Sequence, residues 1–487
     1  MGETGVDYIL ASKRAAVTFT RDAQTGALCP DMAPGGTANV VADLSERLNT
    51  SWIASAMTQE DIEVARANPE GLELEYNATN YARPICMRLL EHDPTVFDHM
   101  QTILTADLIW HSHNTLWDSW TAPNFDDDVE KAWDSFHVFS QQVADAVSAE
   151  LAVRKTGRVL LHDYQLSLVP AKLRAAGCTS PLLLFIHIPW PEPDYWRMMP
   201  KYIRTEMLTG MLGADSIAFF CNRWCVNFIR CVKDLIPEAH ADEERMTVTY
   251  DGQTTRLENM PLGYSQQALD AREGEFPPEI AEWLGGAPFM IHSGRTDPMK
   301  NAHRAIKAYQ MAALRDPVVR RHKMLVRMNP NRLYVADNAA YRDLVYRAAD
   351  EANTVLGTEA VRVVCENNVR ATIGCLERAD MVLVNSTIDG QNLTVFEAAL
   401  TNENDAPIIL SERTGAAEVM ASVCDVINPF DMSELCDVIV RNAHATADVR
   451  CHKAVKRREV AARYGLDAWV DMQVRSLEHV DSVHTVA

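Results

Sequence analysis

The second half of the chain alternates strand and helix patterns without interruption. Short apolar runs typical of buried strands are each followed by a stretch whose apolar residues recur at helical spacing. The predicted elements are strand 289–293, helix 300–314, strand 323–328, helix 340–355, strand 361–365, helix 368–378, strand 380–385, helix 390–402, strand 407–411 and helix 415–422. Such an alternation folds into a parallel sheet with helices on both faces, so this half is predicted to be a doubly wound α/β domain.

The first half shows the same kind of pattern less regularly. Strands are predicted at 8–11, 52–53, 159–162, 182–188 and 216–220, and helices at 38–48, 169–176 and 222–232. The strand–helix–strand unit from 159 to 188 should be right-handed, so its two strands are parallel and end at one edge of the sheet. Because 487 residues exceed one ordinary core, two large domains are expected, with a boundary at about residue 266.

Charge and cysteine content argue against several classes of protein. The chain carries 46 basic and 67 acidic residues, and its net charge of −21 opposes binding to nucleic acid or to an anionic membrane. No secretory signal is evident, and no apolar run approaches the roughly 18 residues of a membrane span, so a cytoplasmic protein is expected. The 11 cysteines are scattered, which favours reduced thiols over a disulfide framework.

Metal binding is not expected from the sequence. Cys221 and Cys225 would share a helix face, but no second Cys or His pair lies at zinc-finger spacing. The acidic run 126–128 could ligate a divalent ion, although the acidic first turn of a helix is the commoner meaning of such a run.

The turn that follows the strand at 289–293 carries two cations. Arg295 and Lys300 flank Pro298, and a helix begins just beyond them. The first N–H groups of a helix bear partial positive charge, so the turn meets the chemical requirements of a diphosphate site. Two ordinary solvated surface cations would give the same sequence, and this stretch alone leaves both interpretations open.

Two further candidates follow the parallel strands of the first half. Asp163 and His187 stand near the carboxyl ends of those strands, where ligands of open α/β sheets bind. Asp163 could instead cap a helix, and His187 could be a buried core histidine. Gly35 and Gly36 precede the helix at 38–48 and would let a ligand approach the backbone, but a plain loop has the same signature.

The second half offers similar candidates at its strand ends. Arg332 follows the strand at 323–328, and the Asp389-Gly390 turn follows the strand at 380–385. The turn would leave the N–H groups of residues 391–393 facing a ligand. Glu397, one turn further on, is placed to accept hydrogen bonds from a ribose diol, unless it is simply a solvated helix residue.

Taken together, the motifs resemble the trehalose-6-phosphate synthase family of retaining glycosyltransferases, glycosyltransferase family 20, over nearly the whole chain. The matching motifs are Ser12-Lys13-Arg14, Gly35-Gly36, His162-Asp163-Tyr164, His187-Ile188-Pro189, Arg295 and Lys300, Arg332, and Asp389-Gly390 through Asn392-Leu393 to Glu397. The resemblance implies an α/β GT-B fold, two Rossmann-like doubly wound domains facing across a cleft. The acceptor would bind to 1–266 and the nucleotide donor to 267–465, with a final helix, about 466–487, crossing back to the first domain.

Three positions depart from members that make trehalose phosphate: Gln165, Asn301 and Gln391 replace a His, a Gly and a Met. The stretches 186–191, 293–298, 327–334 and 389–393 instead resemble a branch of pseudo-glycosyltransferases of the validoxylamine A 7'-phosphate synthase type. That branch serves aminocyclitol antibiotic biosynthesis. It joins an unsaturated cyclitol of the GDP-valienol type to an aminocyclitol phosphate of the validamine 7-phosphate type, through a C–N bond with retention, releasing nucleoside diphosphate.

The resemblance assigns roles to individual residues. The implied catalytic residues are Asp163, His187, Arg295, Lys300 and Asp389. The implied donor nucleotide and diphosphate residues are Gly36, Arg295, Lys300, Gln391, Asn392, Leu393 and Glu397. The implied acceptor-phosphate residues are Arg14, Asn331 and Arg332. No cofactor or metal is implied beyond the nucleotide-linked substrate, and a homodimer is compatible with the family although no sequence feature requires it.

Two other functions remain open from the sequence. A true glycosyltransferase would make trehalose 6-phosphate from a nucleotide-glucose and glucose 6-phosphate, and only Gln165 and Gln391 speak against it. An inactive sugar-phosphate-binding regulator would be expected to have lost Arg295, Lys300 or Glu397, and all three are present. The donor base, whether guanine, uracil or adenine, is not readable from these motifs.

Overall fold

The computed structural model describes residues 8–32, 36–74, 85–154, 157–264, 269 and 274–486. The chain divides into two compact units, Met1–Met260 with Trp469–Ala487, and Pro261–Ala468. The boundary predicted from the sequence lies at 266, a few residues beyond this division. Gly35 lies outside the described residues.

Within the described residues, the first unit contains a ten-stranded sheet and a separate two-stranded hairpin. The strands are β1 Tyr8–Ser12, β2 Val17–Arg21, β3 Leu28–Met32, β4 Thr50–Ser55, β5 Leu72–Leu74, β6 Ile85–Leu90, β7 Arg158–His162, β8 Leu182–Phe185, β9 Ser216–Phe219, β10 His240–Asp242, β11 Thr247–Tyr250 and β12 Gln253–Asn259. Their order is β10-β11-β12-β9-β8-β7-β1-β4-β6-β5, parallel from β12 to β6. Strands β2 and β3 pair antiparallel with each other.

Helices connect these strands. They are α1 Gly36–Arg47, α2 Gln59–Ala67, α3 Pro94–Asp98, a π-helix His99–Ile109, α4 Trp110–His113, α5 Asp127–Val153, a 3-10 turn Tyr164–Leu166, α6 Val169–Ala175, α7 Pro193–Trp196, α8 Lys201–Met211 and α9 Asn222–Leu235. Asp126 caps α5 by accepting hydrogen bonds from the N–H groups of Asp128 and Val129. The acidic run is therefore the first turn of a helix.

The second unit contains a six-stranded sheet in its described part, and all neighbouring strands are parallel. The strands are β13 Phe289–Arg295, β14 Lys323–Asn329, β15 Val361–Cys365, β16 Met381–Val384, β17 Ile408–Ser411 and β18 Asp425–Ile427. The helices are α10 Pro278–Leu284, α11 Ala302–Arg315, α12 Ala336–Leu356, α13 Val369–Arg378, α14 Thr394–Thr401, α15 Ala417–Met420, α16 Met432–Ala443 and α17 Ala447–Ala461, with 3-10 turns at Pro298–Lys300, Val319–Arg321 and Ala462–Tyr464. A final helix, α18, covers Leu466–Val486.

The two faces of the second sheet are covered by different helices. One buried cluster packs α11, α12 and α16 against the sheet, and another packs α10, α13 and α14 against the opposite face. The sheet order β15-β14-β13-β16-β17-β18 is the order 3-2-1-4-5-6 of a doubly wound dinucleotide-binding fold. The prediction of a doubly wound domain is thereby confirmed, although β18, α10, α16 and α17 were not among the predicted elements.

The first unit departs from the sequence prediction in several places, and strands β5, β6 and β12 and helices α2 and α8 are among the elements that were not predicted. The hairpin β2–β3 and the antiparallel edge strands β10 and β11 were not predicted, because they are short and lack a continuous apolar run. Strand β8 ends at Phe185 rather than at 188. The hydrogen bonds from Asp163 N–H to the Phe185 carbonyl and from Ile186 N–H to the Ala218 carbonyl lie at this end of the strand.

Asn402, just after α14, provides a test of how the second unit is held together. Its buried amide donates to the carbonyls of Leu376 and Ala379 and accepts from the N–H groups of Asn404 and Ala406. We expect Asn402→Ala to lower the free energy of unfolding by about 2–4 kcal/mol, because several buried backbone groups lose their partners. Urea unfolding followed by circular dichroism measures this.

The matched control is Asn404→Ala in the same loop. Asn404 is exposed and its amide makes one hydrogen bond, to the Arg378 carbonyl, so its loss should cost under about 1 kcal/mol. Equal losses at the two positions would contradict the assignment of Asn402 as a buried link.

Candidate active site

The predicted site residues gather at the switch point of each sheet. In a doubly wound sheet the strand order reverses between two neighbouring strands, and ligands bind outside the carboxyl ends of those strands. In the first unit the neighbours are β1 and β7, followed by Arg14 and Asp163 respectively. In the second unit they are β13, which ends at Arg295, and β16, which ends at Val384 and is followed by the loop that carries Asp389. Each sheet thus places candidates where a ligand would be expected.

A buried carboxylate organises the loop after β13. Asp297 is fully buried, and its Oδ2 atom lies 2.6 Å from Nε of Arg295. Its other oxygen accepts hydrogen bonds of 3.0 Å from the side-chain amides of Asn331 and Asn338. Three separate segments are therefore fastened to one side chain.

The charge on Asp297 is retained despite its burial. Burial alone would raise the pKa of this carboxyl, but the charges of Arg295 and Arg332, the hydrogen bond from Arg295 and the charge of Lys300 outweigh that effect. The pKa of Asp297 consequently lies below its ordinary value. An ionised Asp297 in turn keeps the guanidinium of Arg295 in place, while 40% of that side chain remains exposed.

Lys300 is held by a second carboxylate. Its Nζ atom lies 2.6 Å from Oδ2 of Asp389, and both side chains are nearly buried, at 12% and 11% exposed. The same carboxylate oxygen accepts a hydrogen bond of 2.9 Å from the amide of Asn392. Lys300 is therefore not a solvated surface cation, and one of the two interpretations left open by the sequence is wrong for this residue.

The start of the helix after these cations differs from the sequence prediction. The first N–H group of α11, on Ala302, donates to the buried hydroxyl of Tyr341 at 2.8 Å. Asn301, the preceding residue, is left-handed at φ 64°, and its amide bonds the carbonyls of Asn385 and Pro429. The first N–H group of this helix is therefore not available to an anion, because it already donates to the Tyr341 hydroxyl. The prediction of an anion site is wrong for this N–H group.

Open backbone donors are found instead in the loop 389–393. Within the described part of the chain, the N–H groups of Gln391, Asn392 and Leu393 donate to no protein group. The carbonyls point elsewhere, since Asp389 and Gln391 accept hydrogen bonds from the N–H groups of Gly415 and Ala416. Asn392 is left-handed at φ 74°, which turns consecutive N–H groups towards one side. Glu397 lies half-buried in the first turn of α14.

The side chain of Gln391 does not point to solvent. It is buried, and its Nε2 donates to the Leu262 carbonyl at 2.7 Å. Leu262 belongs to the first residues of the second unit, and the neighbouring Gly263 N–H donates to the Tyr464 carbonyl. The loop 389–393 is consequently tied to the segment where the chain enters this unit.

In the first unit, Asp163 and His187 are joined directly. Asp163 has a left-handed φ of 81°, and its Oδ1 accepts hydrogen bonds from the backbone N–H groups of Tyr164 and His187, at 3.0 and 3.1 Å. Asp163 thus also caps the 3-10 turn that follows it, which agrees with the alternative interpretation of this residue as a helix cap. His187 as a residue is partly exposed, and Nε2 of its ring lies 3.0 Å from Nδ1 of the buried His162.

The remaining predicted residues lie at the same edges. Arg14 is exposed after β1, and its carbonyl accepts a hydrogen bond of 2.6 Å from the hydroxyl of Ser12. Gly36 is the first residue of α1. Arg332 is half-buried with a left-handed φ of 47°, beside Asn331.

Several participants were missed by sequence reasoning. Asp297 lies two residues after Arg295 and could have been noticed as its partner. Asn338 lies on α12, far along the chain from Asp297, and no local pattern reveals it. His162 precedes Asp163 in a matched motif, but only the structure shows that it contacts His187.

Two negative findings hold for the described residues. No group of three or more His, Cys, Asp or Glu side chains is placed to hold a metal ion there. Nor does that part of the chain contain a helix long and apolar enough to cross a membrane.

Cations and open backbone donors at the switch points of Rossmann-like sheets are typical of proteins that bind phosphorylated ligands. The model of glycosyltransferase family 20 matches residues 7–479. The chain belongs to this family.

Individual relatives agree with that membership. A validamine 7-phosphate valienyltransferase of Streptomyces hygroscopicus subsp. jinggangensis (strain 5008) is 48% identical over 474 residues, covering 97% of this chain and 95% of that protein. A trehalose-6-phosphate synthase of Mycobacterium ulcerans (strain Agy99) is 25% identical over 502 residues, covering 95% and 92%. The solved structure of an α,α-trehalose-phosphate synthase (UDP-forming) from Burkholderia vietnamiensis matches with a TM-score of 0.82 at 18% identity, covering 100% of both chains. These matches confirm the GT-B fold class and the resemblance inferred from the motifs.

Asp297 supplies a test of the electrostatics. Because the pKa of Asp297 lies below its ordinary 3.8, its charge stabilises the fold above that pH, and this contribution is lost as pH falls through the lower folded-state pKa. We expect Asp297→Asn to lower the free energy of unfolding by roughly 2–3 kcal/mol at pH 7, with the gap to the wild type shrinking below about pH 4. Urea unfolding at a series of pH values measures both.

Asp343→Asn serves as the control, since Asp343 is half exposed and pairs only with its neighbour Arg342 among the ion pairs described. Its effect should stay within about 0.5 kcal/mol at every pH. If the difference in the free energy of unfolding between Asp297→Asn and the wild type did not change with pH, the assignment of an ionised Asp297 carboxylate would be contradicted.

Proposed function

We propose that the chain is a pseudo-glycosyltransferase that joins a nucleotide-activated unsaturated cyclitol, of the GDP-valienol type, to an aminocyclitol phosphate, of the validamine 7-phosphate type. The new bond is C–N, configuration is retained, and nucleoside diphosphate is released. The observation that carries the proposal is the array at the second switch point, where three open N–H groups stand in one loop with the Lys300–Asp389 pair. The 48% identical relative, a validamine 7-phosphate valienyltransferase, supports the choice of substrates.

The leaving group explains why such an array is needed. As the C–O bond to the donor diphosphate breaks, negative charge grows on the phosphate oxygens. Arg295, Lys300 and the N–H groups of 391–393 supply positive charge and donors for it, which is the usual way in which enzymes stabilise a departing phosphate. The carboxylates of Asp297 and Asp389 hold the two cations in place beforehand, so little reorganisation is required. Glu397 accepts hydrogen bonds from the nucleotide ribose, and Gly36 lets the phosphates approach α1.

The reacting ring is oriented by carboxylates and a histidine. In the proposal, Asp163, His187 and Asp389 bind its hydroxyl groups. Because the reacting carbon of a valienol-type ring is allylic, cationic character can develop there without a ring oxygen. The acceptor amine attacks from the face that the diphosphate leaves, and its proton passes to the departing phosphate oxygen. The C–O bond breaks, the C–N bond forms, and the protonated nucleoside diphosphate departs.

In the proposal, cationic side chains bind the phosphate group of the acceptor. Arg14 and Arg332, with the amide of Asn331, would bind it, since guanidinium groups make paired hydrogen bonds with phosphate. Asn331 is already fixed by its hydrogen bond to Asp297. The same carboxylate therefore supports a donor-binding and an acceptor-binding residue.

A second candidate function is trehalose 6-phosphate synthesis from a nucleotide-glucose and glucose 6-phosphate. It is favoured by relatives named trehalose-6-phosphate synthase, although these are only 25% identical. Gln391 argues for the first function, because its amide makes a hydrogen bond to the Leu262 carbonyl that the Met of trehalose-forming members cannot make. Gln165, buried in the 3-10 turn after Asp163, is the second departure. A silent regulator would not need an intact cation array.

A product assay separates the functions. The purified protein is offered validamine 7-phosphate with GDP-valienol and, separately, glucose 6-phosphate with GDP-glucose or UDP-glucose, and the products are identified by mass spectrometry. We expect a C–N-linked pseudodisaccharide phosphate from the first mixture only. Trehalose phosphate from the second set would replace the proposal by the sugar transferase, and no product from any mixture would contradict both.

The leaving-group role can be tested by mutation. We expect Arg295→Ala to lower turnover by about 10²–10³-fold, because a cation acting on the developing phosphate charge is lost. The control is Lys307→Ala, which removes an exposed cation of α11 and should leave turnover unchanged. Thermal melting of both variants confirms folding, and a folded Arg295→Ala enzyme with near wild-type turnover would refute the assignment.

A further inference from the structure

The contact between His162 and His187 defines a proton arrangement that the proposed chemistry does not specify. His162 is the last residue of β7, paired in register with Ser12 of β1 and Phe185 of β8. Its ring is fully buried, with the rings of Phe185 and Trp469 at centroid distances of 5.9 and 5.8 Å. Its Nδ1 lies 3.0 Å from Nε2 of His187, a hydrogen-bond distance.

One proton must lie between these two nitrogens, and this couples the tautomers of the two rings. If His162 donates from Nδ1, then His187 accepts at Nε2 and carries its own proton on Nδ1. If His187 donates from Nε2, then His162 must carry its proton on Nε2, and Nδ1 of His187 is a bare lone pair. Burial lowers the pKa of both imidazoles, that of His162 to about 3, so both rings are neutral at physiological pH.

The surroundings of His162 decide between the two arrangements. Its Nε2 is buried and has no hydrogen-bond partner among the residues that the structure describes. A buried N–H group without an acceptor is rarer in proteins than an acceptor without a donor. The bare lone pair at this nitrogen is therefore favoured, which places the proton of His162 on Nδ1 and directs it towards His187.

We propose that His162 is a positioning residue that holds His187 as the Nδ1–H tautomer, so that Nδ1 of His187 offers an N–H donor at the carboxyl edge of the first sheet. Nδ1 of His187 makes no hydrogen bond with the described residues. Its natural partner is an oxygen of the ligand, either a ring hydroxyl or a phosphate oxygen.

The inference rests on the proposed function for its chemical consequence. A His187 that accepts at Nε2 and donates at Nδ1 has no lone pair left for the acceptor amine. It cannot be the general base of the coupling, and the proton of the amine must go to another group, such as the departing phosphate oxygen. His187 then contributes by orienting the ring or the phosphate, together with Asp163, whose carboxylate binds the His187 backbone N–H.

The tautomers can be measured directly without substrate. Long-range ¹H–¹⁵N spectra of the full-length protein labelled with ¹⁵N-histidine distinguish Nδ1–H from Nε2–H rings, and His162→Asn and His187→Asn variants assign the two signals. We expect both rings to show the Nδ1–H pattern at pH 7. An Nε2–H pattern for both would overturn the proposal, whether or not any product assay succeeds.

A pair of substitutions tests the positioning role. Asn at 162 keeps an N–H donor near the place of Nδ1, whereas Leu removes it at similar volume. We expect His162→Asn to preserve the His187 pattern and to keep turnover within a few-fold of wild type, and His162→Leu to lose the pattern and about tenfold in turnover. An unchanged His187 pattern in a folded His162→Leu variant would refute the role of His162. Failure of the product assay with the expected spectra would refute only the proposed function.

Discussion

The buried charge of Asp297 is the constraint on which the candidate site of the second unit depends. A carboxylate removed from water is unfavourable unless cations and donors surround it, and here Arg295, Asn331 and Asn338 do so. Each of these partners comes from a different segment, so the carboxylate fixes their relative positions. Lys300 and Asp389 form a second nearly buried ion pair, in which a carboxylate again holds a cation in place. The cations are thus in place before any ligand arrives.

Left-handed backbone is concentrated in the same loops. Eight non-glycine residues of the described chain have positive φ, and four of them are Asp163, Asn301, Arg332 and Asn392. Such conformations cost of order 1 kcal/mol or more and persist only where other contacts compensate. The side chains of Asp163, Asn301 and Asn392 provide those contacts by binding neighbouring backbone or carboxylate groups. This explains how Asn301 can stand where trehalose-forming members have glycine, since Asn tolerates the left-handed region.

Much of the fold was predictable because it is periodic. The apolar runs and helical spacings of the second half identify every strand of its sheet except β18, and short strands without an apolar run, such as β2 and β3, were missed. Strand ends also located the candidate residues at the switch points. What the sequence could not show is pairing over long separations. The hydroxyl of Tyr341 occupies the helix start where an anion was expected, and Asn338 reaches Asp297 from another helix. Such contacts depend on tertiary packing, which no local pattern encodes.

Gln391 has two structural roles, one of which is its side-chain hydrogen bond to the Leu262 carbonyl. Its backbone N–H belongs to the open donors of the loop, while its side chain anchors that loop to the first residues of the second unit. An exchange of Gln for Met would remove this side-chain hydrogen bond and weaken the anchoring of the loop that carries those donors. A substitution at position 391 alone therefore has a structural cost in this chain. Compensating changes are to be expected around Leu262 and Gly415, the residues against which this side chain rests.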